Sequence, residues 1–339
     1  MQIFTENNLH IKETCDDNDL ITGIDNQIAF LKKRGLTITY QEELKHIIIN
    51  YGFNNLFRKY SPPFLEKKDS IVVYKKNTSE VTILKLYYFD YTLTNILLNY
   101  LGSFELKLKS NIIYQINQEC PVLEKQLTYL FSKQEQTKFI KKINNTSENG
   151  ADYLKPFIKN NVYPAAIILQ EMTLGEVLFI FNKLQNNNYI FENFYLTDFS
   201  KKEFFSINFD FIRPLRNVVA HFNRLFKYSI NLTREQGDTF KKFIHKFITN
   251  EKYLNQVLDK NCQKLDNFDL ILMLVLLLGY YRAQKLVETL KIFIKDSQEK
   301  NNNHFNLNNL LTDPLIYDWP QDWEQILDHA LENKLSMRK

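Results

Sequence analysis

Apolar residues recur in steps of three and four along most of this chain, the period of helices buried on one side. The clearest case follows Thr78-Ser79, a good N-cap pair. From Glu80 to Gln118 there is one glycine, Gly102, and no proline, while Leu86, Phe89, Leu93, Leu97, Tyr100, Leu101, Phe104 and Leu108 keep the helical spacing. The pattern predicts one long helix here, or two joined near Gly102. Shorter helices are predicted over 25–34, ending at Gly35, and over 40–51, stopped by Gly52. Pro62 and Pro63 enforce an extended turn between elements. The polar stretch 144–152 reads as a surface loop, and Pro164 opens the helical run AAIILQEMTLGEVLFIFNKLQ. Further helices are predicted near 209–228, over 233–249 and over 268–295. An Asn-rich loop at 301–309 and the aromatic closing segment YDWPQDWEQIL follow. The run Ile71–Tyr74 could form a short strand, nothing else alternates for long, and no internal repeat is present. The predicted fold is all-α.

Composition sharpens this picture. Apolar residues make up 44% of the chain, with 27 Phe and 19 Tyr, ample for a core and unlike a disordered polypeptide. Eight glycines and eight prolines in 339 residues imply few turns and long elements. A net charge of +4 does not by itself imply nucleic-acid binding, so any basic site must be local. Cys15, Cys120 and Cys262 are far apart and form no CxxC pair, which fits reduced thiols rather than a disulfide framework or a zinc cage. The first residues lack the basic start and apolar core of a signal peptide. The longest apolar run, Leu270–Tyr281, has 12 residues, where a membrane span needs about 20. The expectation is a cytoplasmic protein with no membrane contact, no metal site and no small-molecule cofactor. Its expected organisation is a flexible N-terminal arm (1–25), a main helical domain (26–250) and a C-terminal helical extension packed on the same core (251–339).

Charge chemistry singles out one segment. Eight arginines stand among 35 lysines, and four of them, Arg213, Arg216, Arg224 and Arg234, fall within 213–234. In a chain that uses lysine by default, an arginine cluster suggests a need for the planar guanidinium fork, which grips phosphate through two parallel hydrogen bonds. On a helix, Arg213, Asn217, His221 and Arg224 follow steps of four, four and three and share one face, with Arg216 at its margin. Leu215, Val218, Val219, Phe222 and Leu225 form the opposite, apolar flank. Pro214 suits a first helical turn, and a helix that starts there would add its dipole to an anion site near Arg216; a kinked continuation is the alternative. Histidine suits proton transfer near neutral pH and arginine suits charge stabilisation, so Asn217, His221 and the flanking arginines could form a metal-independent RNA-cleaving set. The Arg-x4-His spacing alone is weak, since these counts give about 0.14 such matches by chance.

More specific is a resemblance. The run LRNVVAHFNRLFK, Leu215–Lys227, resembles the pattern LRNxxAHHxRLWN of the Abi-like abortive-infection family (AbiD/AbiF type) in the HEPN superfamily. Arg216, Asn217, Ala220, His221, Arg224 and Leu225 match, while Phe222 replaces a second histidine and Phe226 a tryptophan. Other blocks agree in order: INYGF at 49–53, SPPF at 61–64, LYYFD at 86–90, FELKLKSNIIY at 104–114 with Glu105 kept and Lys109 in place of arginine, EMTLG at 171–175, and WPQDW at 319–323.

The resemblance implies a HEPN-like helical bundle and a phage-defence toxin that arrests growth. It implies a metal-independent endoribonuclease in which Arg216 holds the scissile phosphate, His221 handles protons and Asn217 orients either; the arginine face itself makes Arg213 and Arg224 the expected RNA-binding residues. RNA would be the substrate, a small structured RNA a possible antitoxin, and a homodimer the assembly in which two motifs meet. The competing expectation is a non-catalytic RNA-binding or partner-binding helical module, which the loss of the second histidine favours. Glu105 and Lys109 are expected to pair along one helix face, Asp90 to pack or cap within the bundle, and Trp319 and Trp323 to anchor the core like a lid. His46, His245, His304 and His329 have no ligand-like spacing.

Overall fold

A computed structural model of the chain describes residues 23–258, 263–299 and 311–337. The Asn-rich loop expected at 301–309, most of the expected N-terminal arm, and Cys15, Cys262, His304 and Arg338 lie outside them. The described residues are dominated by helix, with two small two-stranded sheets, so the fold is all-α. Two compact units lie within residues 1–90 and 91–339.

In the first unit, α1 (Ile24–Lys33) and α2 (Gln41–Tyr51) precede an antiparallel hairpin of β1 (Leu65–Lys68) and β2 (Ile71–Tyr74). Asp69 and Ser70 have φ of 48° and 70°, as a two-residue turn between right-twisted strands requires. The strand expected at Ile71–Tyr74 is one arm of this hairpin. Buried Glu80 accepts the backbone N–H groups of Thr39 and Tyr40 at 2.7 and 2.9 Å and so secures the start of α2. Asp90, also buried, accepts the Tyr60 hydroxyl at 2.8 Å.

The long helix α3 (Glu80–Glu119) is unbroken through Gly102. Beyond it come α4 (Leu123–Leu130), α5 (Lys133–Glu148), α6 (Lys155–Asn160), α7 (Ala165–Gln170), α8 (Leu174–Lys183) and α9 (Asn188–Asn193). Two expectations change here. Helix α5, started by a Ser132–Glu135 capping box, runs through the first half of the stretch read as a loop at 144–152. The run after Pro164 is two helices, because Thr173 and Glu176 form a second capping box and start α8 afresh. Phenylalanines bind these elements together: Phe181 of α8 lies 4.8 Å from Phe204, Phe204 lies 5.4 Å from Phe194, and Phe194 lies 6.2 Å from Phe104 of α3. All four rings are fully buried.

The last third contains α12 (Arg234–Phe247), α13 (Glu251–Leu258), α14 (Asn267–Leu277), α15 (Tyr280–Glu299) and α16 (Trp323–Ser336), with β3 (Ser229–Asn231) paired antiparallel to β4 (Lys264–Asp266). The helix expected over 268–295 is therefore two, parted at Leu278-Gly279. Every residue of α14 is buried, so its final carbonyls cannot turn to water. Two lysines satisfy them. Lys334 of α16 donates to the carbonyls of Val275, Leu276 and Leu278, and Lys107 of α3 donates to Leu277 at 3.0 Å. A cation at the negative end of a helix is electrostatically matched. Lys107 also lies 3.8 Å from the Phe194 ring centre.

Burial nevertheless pushes the Lys107 ammonium down to about 7 from its ordinary 10.5. Burial, and then the charge of Lys107, push Lys334 the same way. Between the folded and unfolded values the unfolded chain binds more protons, so stability must rise with pH across that window and level off below about 7. Thermal melts from about pH 7 to about pH 9 should climb, and Lys107→Met should flatten the climb. A falling melting temperature over this range would contradict the assignment.

Candidate functional site

The segment carrying the arginines is not a fresh helix. Helix α10 (Lys201–Ser206), a π-helical stretch (Ile207–Ile212) and α11 (Arg213–Ala220) follow one another without interruption. Pro214 has no N–H for the carbonyl of Asp210, and in an α-helix its ring would press on that carbonyl. The wider π turn just before it relieves this conflict. Ile212 keeps helical angles, φ −73° and ψ −40°, so no exposed helix N-terminus opens beside Arg216. Of the two readings, the continuing helix is the one found, so no helix-dipole contribution arises beside Arg216.

At its other end α11 stops sooner than expected. His221 caps it with φ −98° and ψ 10°, and Phe222 turns into the left-handed region with φ 48°. The N–H of Phe222 bonds the Val219 carbonyl at 3.1 Å and that of Asn223 the Val218 carbonyl at 3.0 Å, the paired bonds of a Schellman stop in which glycine is usual at the left-handed position. The helix expected over 209–228 thus ends at Ala220. Arg213, Asn217 and His221 keep their helical spacing, since the His221 N–H still donates to the Asn217 carbonyl at 3.2 Å. Arg224 leaves that face and sits in the following turn, its guanidinium 4.6 Å from the Phe226 ring centre. Leu215, Val219 and Leu225 are buried as expected. Phe222 is not: the early stop swings it outward, 44% exposed.

Arg216 meets a residue 111 positions away. Its Nε donates to Glu105 Oε1 of α3 at 2.8 Å, with the two side chains 34% and 17% exposed. Among the described residues the Arg216 guanidinium makes no other hydrogen bond, so its terminal amino groups remain available. The expected Glu105–Lys109 pair does not form. Lys109 instead donates to the Met172 carbonyl at 2.9 Å, just before α8. Burial lowers its pKa, an effect the Glu105 and Glu171 carboxylates oppose and the Arg216 and Lys142 charges reinforce. Arg213 lies with its guanidinium 3.7 Å from the Phe209 ring centre, and its stem passes Gly175 of the EMTLG block. Asn217 and His221 are exposed. The His221 ring makes no hydrogen bond among the described residues.

The far end of the chain holds the turn after His221 in place. Trp319 Nε1 donates to Asn267 Oδ1 at 2.6 Å, and Asn267 Nδ2 donates to the Leu225 carbonyl at 3.2 Å. The Lys227 N–H bonds the Ile316 carbonyl at 3.0 Å. Trp319 and Trp323 are buried and lie 5.4 Å apart.

These features define a helical protein with an arginine–histidine helix end braced by a carboxylate on a neighbouring helix. A family model described as "Abi-like protein" matches residues 46–227. That is more than half of the chain, and the chain belongs to this Abi-like family. No curated protein and no solved structure matches it. Membership supports a role in abortive infection. Among the described residues, no helix is long and apolar enough to cross a membrane, and no three His, Cys, Asp or Glu side chains gather as a metal site.

Proposed function

We propose that this chain is an abortive-infection toxin that cleaves RNA without a metal ion, in the manner of HEPN nucleases. The observation that carries the reading is the Glu105-braced Arg216 on the same short helix that His221 caps, with the His221 ring exposed and making no hydrogen bond among the described residues. A carboxylate on Nε fixes the guanidinium plane and leaves its outer N–H groups for a phosphate. In the proposed reaction the 2′-hydroxyl loses its proton and attacks the adjacent phosphorus. The P–O5′ bond breaks, and the departing 5′-oxygen takes up a proton. His221 serves one of these two transfers, and Arg216 stabilises the crowded phosphorane. Asn217, one helical turn before His221, orients the ring or the phosphate, and Arg213 and Arg224 hold the flanking strand. A homodimer would bring a second His221 for the other transfer, and a small structured RNA could silence the site by covering it.

The purified protein incubated with total RNA tests this. Cleavage should persist in EDTA and leave 2′,3′-cyclic phosphate and 5′-hydroxyl ends, and a 2′-deoxy residue at the cut should block it. RNA binding without any cleavage would support the second reading, a non-catalytic RNA-binding module, which Phe222 in place of a second histidine favours.

A further inference from the structure

Phe222 is one of the residues where this chain departs from the pattern it resembles, and its setting is unusual in three respects. Its backbone occupies the left-handed position of a helix stop, φ 48°, which disfavours any residue with a bulky side chain. Its ring is 44% exposed rather than buried. It stacks on a second exposed ring, Tyr91 of α3, with centres 5.4 Å apart and planes 23° from parallel; Tyr91 is 42% exposed. Glycine here would remove the strain and an apolar surface together. A chain that keeps a strained, exposed aromatic next to His221 is presenting that ring to something.

The surroundings indicate what. From residue 211 to 234 the sequence contains Arg213, Arg216, Arg224, Lys227 and Arg234 and not one carboxylate. A partner that suits both a cationic segment and a flat aromatic face is a polyanion carrying π-faces. We propose that the Phe222–Tyr91 pair is a stacking platform for an unpaired nucleobase flanking the phosphate at Arg216 and His221. This deepens the RNA-cleaving reading and rests on it. Every base has a face to stack, so the platform selects single-stranded over paired RNA with little preference for sequence.

The test measures binding of two uncleavable probes, a 2′-O-methyl oligoadenylate 12-mer and an abasic 12-mer of equal charge, alongside cleavage of total RNA. Wild type should prefer the base-bearing probe. Phe222→Gly should weaken that probe about tenfold, leave the abasic probe unchanged, and melt no lower than wild type because glycine suits the turn. Phe222→Trp should retain the preference. If wild type cuts RNA and Phe222→Gly binds the base-bearing probe equally well, the platform is wrong and the nuclease reading stands. If wild type neither binds nor cuts RNA, both fall. If Phe222→Gly converts a dimer to a monomer in light scattering, the rings belong to a contact between copies and the platform is overturned.

Discussion

Replacing His221 by alanine is expected to abolish growth arrest in a sensitive host while leaving a soluble, helical protein. The ring is exposed and makes no hydrogen bond among the described residues, so the fold has little to lose. Turnover has much to lose: removing one acid–base group costs about 10²–10⁴ in rate. Arg216→Ala should cost a similar order through lost charge stabilisation, and it also leaves Glu105 half-buried without its partner. A modest fall in melting temperature should therefore accompany Arg216→Ala and not His221→Ala. Glu105→Gln should fall between wild type and Arg216→Ala, because a neutral amide orients the guanidinium less firmly. The His221 and Arg216 losses should not add, since both act on one transition state. Single-turnover cleavage of a defined RNA reads all of these, and full activity in His221→Ala would overturn the mechanism.

The second large effect is on stability. Lys334→Met keeps the length and apolar character of the stem but leaves the Val275, Leu276 and Leu278 carbonyls without their donor in a closed interior. Each buried carbonyl so abandoned costs about 1–3 kcal/mol, partly offset by no longer burying a charge. A net loss of about 3 kcal/mol is expected, which lowers the melting temperature by roughly 4–6 °C. Calorimetry on the variant decides it. An unchanged melting temperature would mean that the end of α14 finds other donors.

Much of the helical framework was legible in the sequence. Helix α3 was readable because nothing interrupts its three-and-four spacing, and the stop at Gly52 because glycine marks it. The end of α11 was not, since its left-handed residue is phenylalanine, and no residue type announces that turn. The break after α14 lay hidden in a uniformly apolar run, where periodicity has nothing to contrast. The start of α8 was readable and missed: Thr173-x-x-Glu176 is a capping-box pattern. At the site, the arginine cluster and family resemblance selected Arg216, Asn217 and His221. The Arg216–Glu105 contact spans 111 positions, so no local pattern could announce it. Only the resemblance had drawn attention to Glu105, and the partner expected for it was Lys109.

The bonds from Asn267, Ile316 and Trp319 to the turn after His221 have a consequence for the order of synthesis. The family match ends at residue 227, yet Leu225 and Lys227 are held by residues translated up to about a hundred positions later. At about 5–20 residues per second, the ribosome takes on the order of 5–20 s to travel from the arginine–histidine segment to Trp319. During that interval the nascent chain carries every residue of the motif but not the brace that fixes the turn beside it. If the proposed RNA-cleaving reading holds, the site is complete only once the segment carrying Trp319 has been translated.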